Sequence, residues 1–191
     1  MKYPICGFIL LLISFTACNT VKPVANAGSD KTNSTVSVSN NKTQGFDFSE
    51  QSTLLLGYIN PSQLEREPYS TWYLKGFDDY EFNSESINKL LEINKDDITI
   101  KIVMGTWCPD SRREVPRFMR VLNIWQFPLT NVTVLGVDKE KQCPIGDFDK
   151  LDIQRVPTFI LYKNNVEAGR IIENPVTSLE QDIVNILTKK E

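Results

Sequence analysis

Apolar positions along this chain fall into short, differently spaced groups, and the spacing predicts the elements. Leu54 to Ile59 reads as a strand, and the aromatic-rich stretch from Pro68 to Phe77 as a short helix packed on the rest. Ser84 precedes Ile87, Leu90 and Leu91 at helical spacing, predicting a helix that Ser84 caps and that ends near residues 94–97. Ile98, Ile100 and Ile102 alternate and run on into Val103 and Met104, the pattern of a buried central strand. Val115, Phe118, Met119, Leu122 and Trp125 share one helical face. A strand at Val132 to Val137 follows, then a polar loop holding Cys143, then Phe159 to Tyr162 joined through Asn164-Asn165 to Val166–Ile172 as an antiparallel hairpin. Leu179, Ile183, Ile186 and Leu187 form the stripe of a last helix, with Thr177 to Glu180 as its capping box. From residue 84 the order is helix, strand, helix, strand, loop, strand, strand, helix.

The first residues follow a different logic. Lys2, the apolar run Phe8 to Ile13 and the small residue Ala17 before Cys18 predict a signal peptide over 1–17, too short for a stable membrane span. Ala17-Cys18 resembles the lipobox of bacterial lipoproteins, although Phe15 stands where an aliphatic residue is usual. The resemblance implies cleavage before Cys18, a diacylglycerol on its sulfur, and a lipid-anchored protein of the bacterial envelope facing the periplasm. A plain secretory signal, or a retained anchor, with an incidental cysteine is the competing reading. Residues 18–45 are Asn, Ser, Thr, Lys and Val with almost no large apolar side chain, and read as a lipid-anchored flexible tether. Residues 46–83 are expected to be an N-terminal extension packing on the domain formed by 84–191.

Composition narrows the function. A net charge of -3 and a pI near 5.2 lack the clustered cations of a nucleic-acid binder. With no histidine among 191 residues, Cys-His pairs, Ser-His-Asp triads and His-containing metal sites are excluded. No cofactor or metal is expected.

Chemistry concentrates at one junction. Directly after the central strand come Trp107-Cys108-Pro109-Asp110-Ser111, then Arg112-Arg113-Glu114 and Pro116 at the head of a helix, and Val156-Pro157-Thr158 precedes the hairpin. These two motifs, in this element order, resemble the thioredoxin superfamily, and Arg112, Glu114 and Pro116 resemble the pattern in periplasmic, membrane-tethered thiol-disulfide oxidoreductases. The resemblance implies an α/β thioredoxin-like fold, a central mixed sheet flanked by helices. It further implies a cis Pro157 facing the Cys108 thiol, with Trp107, Pro109, Val156 and Pro157 framing a bound substrate strand. Two positions depart from it: Ser111 stands where the resolving cysteine belongs, and Ile102 where thioredoxins often keep a buried acid. The two losses agree, because an acid that served an absent thiol would only cost desolvation.

A cysteine at a helix N-terminus meets unpaired N–H groups and the positive end of the dipole, which favour the thiolate. Arg112 and Arg113 would add to this and Asp110 would oppose it, while the Ser111 hydroxyl is placed to hydrogen-bond the sulfur. One cysteine still attacks a disulfide, giving a mixed disulfide that another thiol resolves. The expected activity is therefore exchange of reductase or isomerase type at Cys108, assisted by Ser111. Its partners would be disulfide- or thiol-bearing envelope proteins and an external thiol reductant. Cys143 is a second candidate thiol, either approaching Cys108 from the far end of the neighbouring strand or standing free. The alternative is a redox-inactive thioredoxin-fold binding or chaperone module. A thiol peroxidase is weaker, because those enzymes place a Thr three residues before their cysteine, whereas Thr106 is two before Cys108.

Overall fold

The computed structural model describes residues 53–189. The signal peptide, Cys18 and the tether lie outside the described residues.

A five-stranded mixed sheet organises the chain. Its strands are β1 (Gly57–Ile59), β2 (Ile98–Met104), β3 (Val132–Gly136), β4 (Thr158–Lys163) and β5 (Val166–Ile172), in the order β1-β3-β2-β4-β5. β2 and β3 are parallel, joined by a helical crossover, and every other pair is antiparallel. The helices are α1 (Ser70–Asp78), α2 (Ser84–Leu91), α3 (Pro109–Ile124) and α4 (Leu179–Thr188). None of the described helices is long and apolar enough to cross a membrane.

The alternation in β2 decides which face is covered. Ile98, Ile100, Ile102 and Met104 point into the main core with Phe159 and Leu161 of β4, beneath residues from all four helices. Phe118 of α3 stacks on Phe159 with ring centroids 4.1 Å apart. On the opposite face Thr99 is exposed and Lys101 lies over the Tyr162 ring, but Ile160 opposite Lys101 is fully buried and a second cluster forms from Val103 onward. There Val103, Leu135 and Val137 meet Phe148, from the 3₁₀ turn Phe148–Leu151, and Val156. The sheet therefore has one face under the main core and a second face whose apolar cluster gathers beside the end of β2.

Residues 53–83 contribute one edge strand and one packed helix to this arrangement. β1 extends the sheet beyond β3, and it is shorter than the six-residue strand expected from the sequence because Leu54, Leu55 and Leu56 are not in strand conformation. α1 packs across α3, where Gly76 meets the Pro116 ring so closely that a Cβ would sit 2.7 Å from Pro116 Cγ.

Two expected caps are corrected. Asn83, not Ser84, caps α2, its side chain accepting from the Ser86 N–H at 2.9 Å. Ser178 caps α4 by accepting from the Gln181 N–H, and Thr177 instead donates its hydroxyl to Asp182 at 2.8 Å. The predicted box fails because Glu180 is used elsewhere: fully buried, it accepts from the Tyr80 hydroxyl at 2.8 Å and from the Asn83 N–H. The Asn164-Asn165 turn forms as predicted, both residues holding positive φ, 52° and 63°.

Candidate active site

β2 delivers its last residue, Met104, to a tight turn in which the Cys108 N–H donates to the Gly105 carbonyl at 3.0 Å. Cys108 is extended, φ -81° and ψ 124°, and is the N-cap of α3, with Pro109 as first helical residue where a missing N–H costs nothing. The cysteine thus stands over the free N–H groups of a 16-residue helix.

Gly105 makes the turn possible. A Cβ there would lie 2.5 Å from Trp107 Nε1, so only glycine lets the indole fold back over the backbone. From that position Trp107 Nε1 donates to the Val137 carbonyl at 3.0 Å, fastening the cysteine's neighbour to the end of β3. Thr106 is tied in the opposite direction, donating its hydroxyl to the Thr53 carbonyl at 2.9 Å and accepting from the Leu55 N–H.

Across the cleft, the Val156–Pro157 peptide bond is cis. Thr158 Oγ1 donates to the Arg155 carbonyl and the Glu173 N–H to the Pro157 carbonyl, which hold this loop in place. The Cys108 thiol donates to the Val156 carbonyl at 3.3 Å and retains 7 % of its surface. Cys108, Val156 and Trp107 thereby belong to one small apolar cluster, Pro157 is buried behind them, and Pro109 is exposed at the rim.

The fold is thioredoxin-like. The sheet order, the parallel strand-helix-strand crossover with a cysteine at its helix start, and the cis-proline loop opposite establish this. No protein-family model matches the chain, and no curated protein matches it. Among solved structures, a Pseudomonas aeruginosa protein of unknown function is 15% identical, with a TM-score of 0.43 over 62% of this chain and 78% of that one. An HIV epitope scaffold has the same identity and TM-score, over 62% of this chain and 79% of its own. Thioredoxin O2 from Arabidopsis thaliana, in its oxidized state, is 20% identical with a TM-score of 0.35, over 56% of this chain and 89% of that one.

Three readings of the site residues change. Ser111 does not hydrogen-bond the sulfur; it is fully buried, and its Oγ accepts from the Gly105 N–H at 3.2 Å, bracing the turn from beneath. Neither arginine is turned to the thiol. Arg112 Nε donates to the Thr106 carbonyl, while Arg113 pairs with Asp110 at 2.7 Å and with Glu114 at 2.6 Å and reaches Asn174. Glu114 is buried rather than solvated, held between Arg113 and Arg117. The carboxylate partners raise Arg113 above its ordinary value, Glu114 most, so the Arg113 charge is engaged by carboxylates of its own helix.

Cys143 is a free, half-buried thiol packed against the same cluster as Cys108. Burial pushes it above the ordinary thiol value; the N–H groups of Gly57 and Ile145 pull it down, and Asp138 adds to the rise. No group of three or more His, Cys, Asp or Glu is placed to hold a metal ion among the described residues. Sequence reasoning missed the part played by Gly105, whose signal was a glycine two residues before a tryptophan at a strand end. It also missed the tie from Thr106 to residues 53–55, for which the sequence carries no signal.

Proposed function

We propose that this protein performs thiol-disulfide exchange on envelope proteins through Cys108, forming mixed disulfides of reductase or isomerase type. The observation that carries the reading is the hydrogen bond from Cys108 Sγ to the carbonyl before the cis Pro157. The sulfur of the helix N-cap residue lies against a backbone that an extended substrate can pair with, so a substrate disulfide laid along Val156 would meet the sulfur directly. Once the thiol loses its proton, the N–H groups of the first turn of α3 hold the thiolate while it attacks. Trp107 and Pro109 supply the apolar rim. Ser111 supports the turn as a structural brace and has no sulfur with which to release the product, so a thiol from outside the motif completes the cycle. Anchoring at Cys18 by a lipid on the periplasmic side of the envelope is part of the same proposal.

The Thr106 hydroxyl is committed to Thr53 and Leu55, which weighs against a peroxidase that would need it at the sulfur. The near-complete burial of Cys108 favours a second reading, a binding module in which the thiol is only packing.

Peptide-resolved mass spectrometry of the full chain, alkylated across pH with and without a disulfide donor, separates the two. Labelling of Cys108 ahead of Cys143 and capture of substrate proteins on it are expected. A Cys108 that labels as slowly as a buried thiol, with Cys108→Ala retaining full function, would establish the binding module instead.

A further inference from the structure

We propose that Cys143 is the resolving thiol of this site, closing a disulfide with Cys108 inside the chain after a substrate has been engaged. The inference rests on the exchange reading above.

The usual place for a second sulfur is occupied by Ser111, buried and bound to the Gly105 N–H, so resolution within the chain must come from outside the motif. Cys143 is the other free thiol among the described residues. It packs against the cluster of Val103, Leu135, Val137 and Val156 that also contains Cys108. The two are joined mechanically as well. Trp107, beside Cys108, grips the carbonyl of Val137, and Val137 is the root of the loop that carries Cys143.

Much of that loop is bonded to itself, with the Gly57 N–H of β1 reaching the Cys143 sulfur from outside it. The Asp138 N–H donates to the Gln142 carbonyl, the Lys141 N–H to the Asp138 carbonyl, the Gln142 N–H to the Asp138 carboxylate, and the Ile145 N–H to the Cys143 carbonyl. Gly146 follows with open space around its Cα. A segment whose bonds are local swings without opening the sheet, and such segments lie at the low-stability end of a fold. Cys108 is the N-cap of α3 and lies against the Val156 carbonyl where a substrate strand would pair, so it is placed to make the first attack, with Cys143 behind it in the same cluster. The N–H groups of Gly57 and Ile145 would then receive the charge when Cys143 loses its proton.

The electrons balance as follows. Cys108 thiolate attacks a substrate disulfide, forming the Cys108–substrate bond and releasing one substrate thiolate. Cys143, its proton passed to solvent, attacks Cys108 Sγ and expels the second substrate thiolate. The substrate disulfide has gained two electrons, the two cysteines have lost two, and an external dithiol returns them.

Oxidised glutathione is the probe. With the reduced full-length protein, glutathione is expected to join Cys108 and then leave, with a linked Cys108–Cys143 peptide appearing as it does so. In Cys143→Ser and Cys143→Ala, both checked for an unchanged melting temperature, the adduct on Cys108 is expected to persist at least about tenfold longer. Equal adduct lifetimes in wild type and both variants, or oxidation of Cys143 only between two copies of the chain, would overturn this inference and leave exchange at Cys108 intact. Failure of Cys108 to take up glutathione at all would overturn both.

Discussion

At the scale of single residues, Gly105 sets the geometry on which the thiol depends. Gly105→Ala would shrink the unfolded ensemble and stabilise by up to about 1 kcal/mol. Its Cβ, however, would meet the Trp107 indole at 2.5 Å, with both ends of that side chain held by packing and by Val137. Overpacking of this kind costs about 1–3 kcal/mol, so the clash wins and the variant is expected to be less stable. Urea unfolding followed by tryptophan fluorescence checks this; a midpoint at or above wild type would show that the indole moves freely. Cys108 and Trp107 were legible because a cysteine after an apolar strand and before an amphipathic helix has few other places to stand. Ser111 was legible as a missing thiol but not as a brace, because its partner is a backbone N–H that only the folded turn presents. Arg112 and Arg113 misled for a related reason: sequence places charges near a helix start, and the Thr106 carbonyl for the one and neighbouring carboxylates for the other decide where they turn.

At the scale of elements, the helix starts show how local rules compete with distant partners. Asn83 caps α2, so Asn83→Ala is expected to cost about 1 kcal/mol, whereas Ser84→Ala, one residue inside, should leave stability within about 0.5 kcal/mol. Chemical denaturation of the two variants side by side checks the assignment, and the reverse ranking would refute it. Sequence spacing located both α2 and α4 and missed each cap by one residue. Adjacent Asn-Ser and Thr-Ser pairs offer two acceptors for one N–H, and burial of Glu180 near Asn83 decides between them. β2 and the hairpin of β4 and β5 were the clearest elements, because alternation and an Asn-Asn turn leave one register. β1 was the least clear. Its three residues pair only because β3 leaves an edge, and the close approach of the Leu55 carbonyl to Gly136, 2.0 Å from where a Cβ would lie, cannot be read from either segment alone.

At the scale of the whole molecule, the buried phenols tie stability to alkaline pH. Burial first, then Glu65, raises Tyr73 above its ordinary value; burial first, then the bond to Glu180, raises Tyr80. The folded state thus holds these protons to higher pH than the unfolded chain, whose phenols titrate near about 10. Their contribution is complete below that pH and is lost as pH rises through the folded values. The urea midpoint is therefore expected to hold from pH 8 to 9 and fall by pH 11, with Tyr80→Phe less stable at pH 8 and declining less steeply. Parallel decline in the two proteins would remove Tyr80 from the account. The α/β class and element order were readable from residue 84 onward. That residues 53–83 complete both the sheet edge and the packing on α3 was not, since those contacts are made with elements far along the chain. Sequence separation has a further consequence in time. The carbonyl that accepts the Cys108 hydrogen bond lies 48 residues downstream, so a chain emerging N-terminus first presents its thiol before that partner exists. At roughly 5–20 residues per second the interval lasts roughly 2–10 seconds, during which the sulfur stands without the backbone that later aligns a substrate against it.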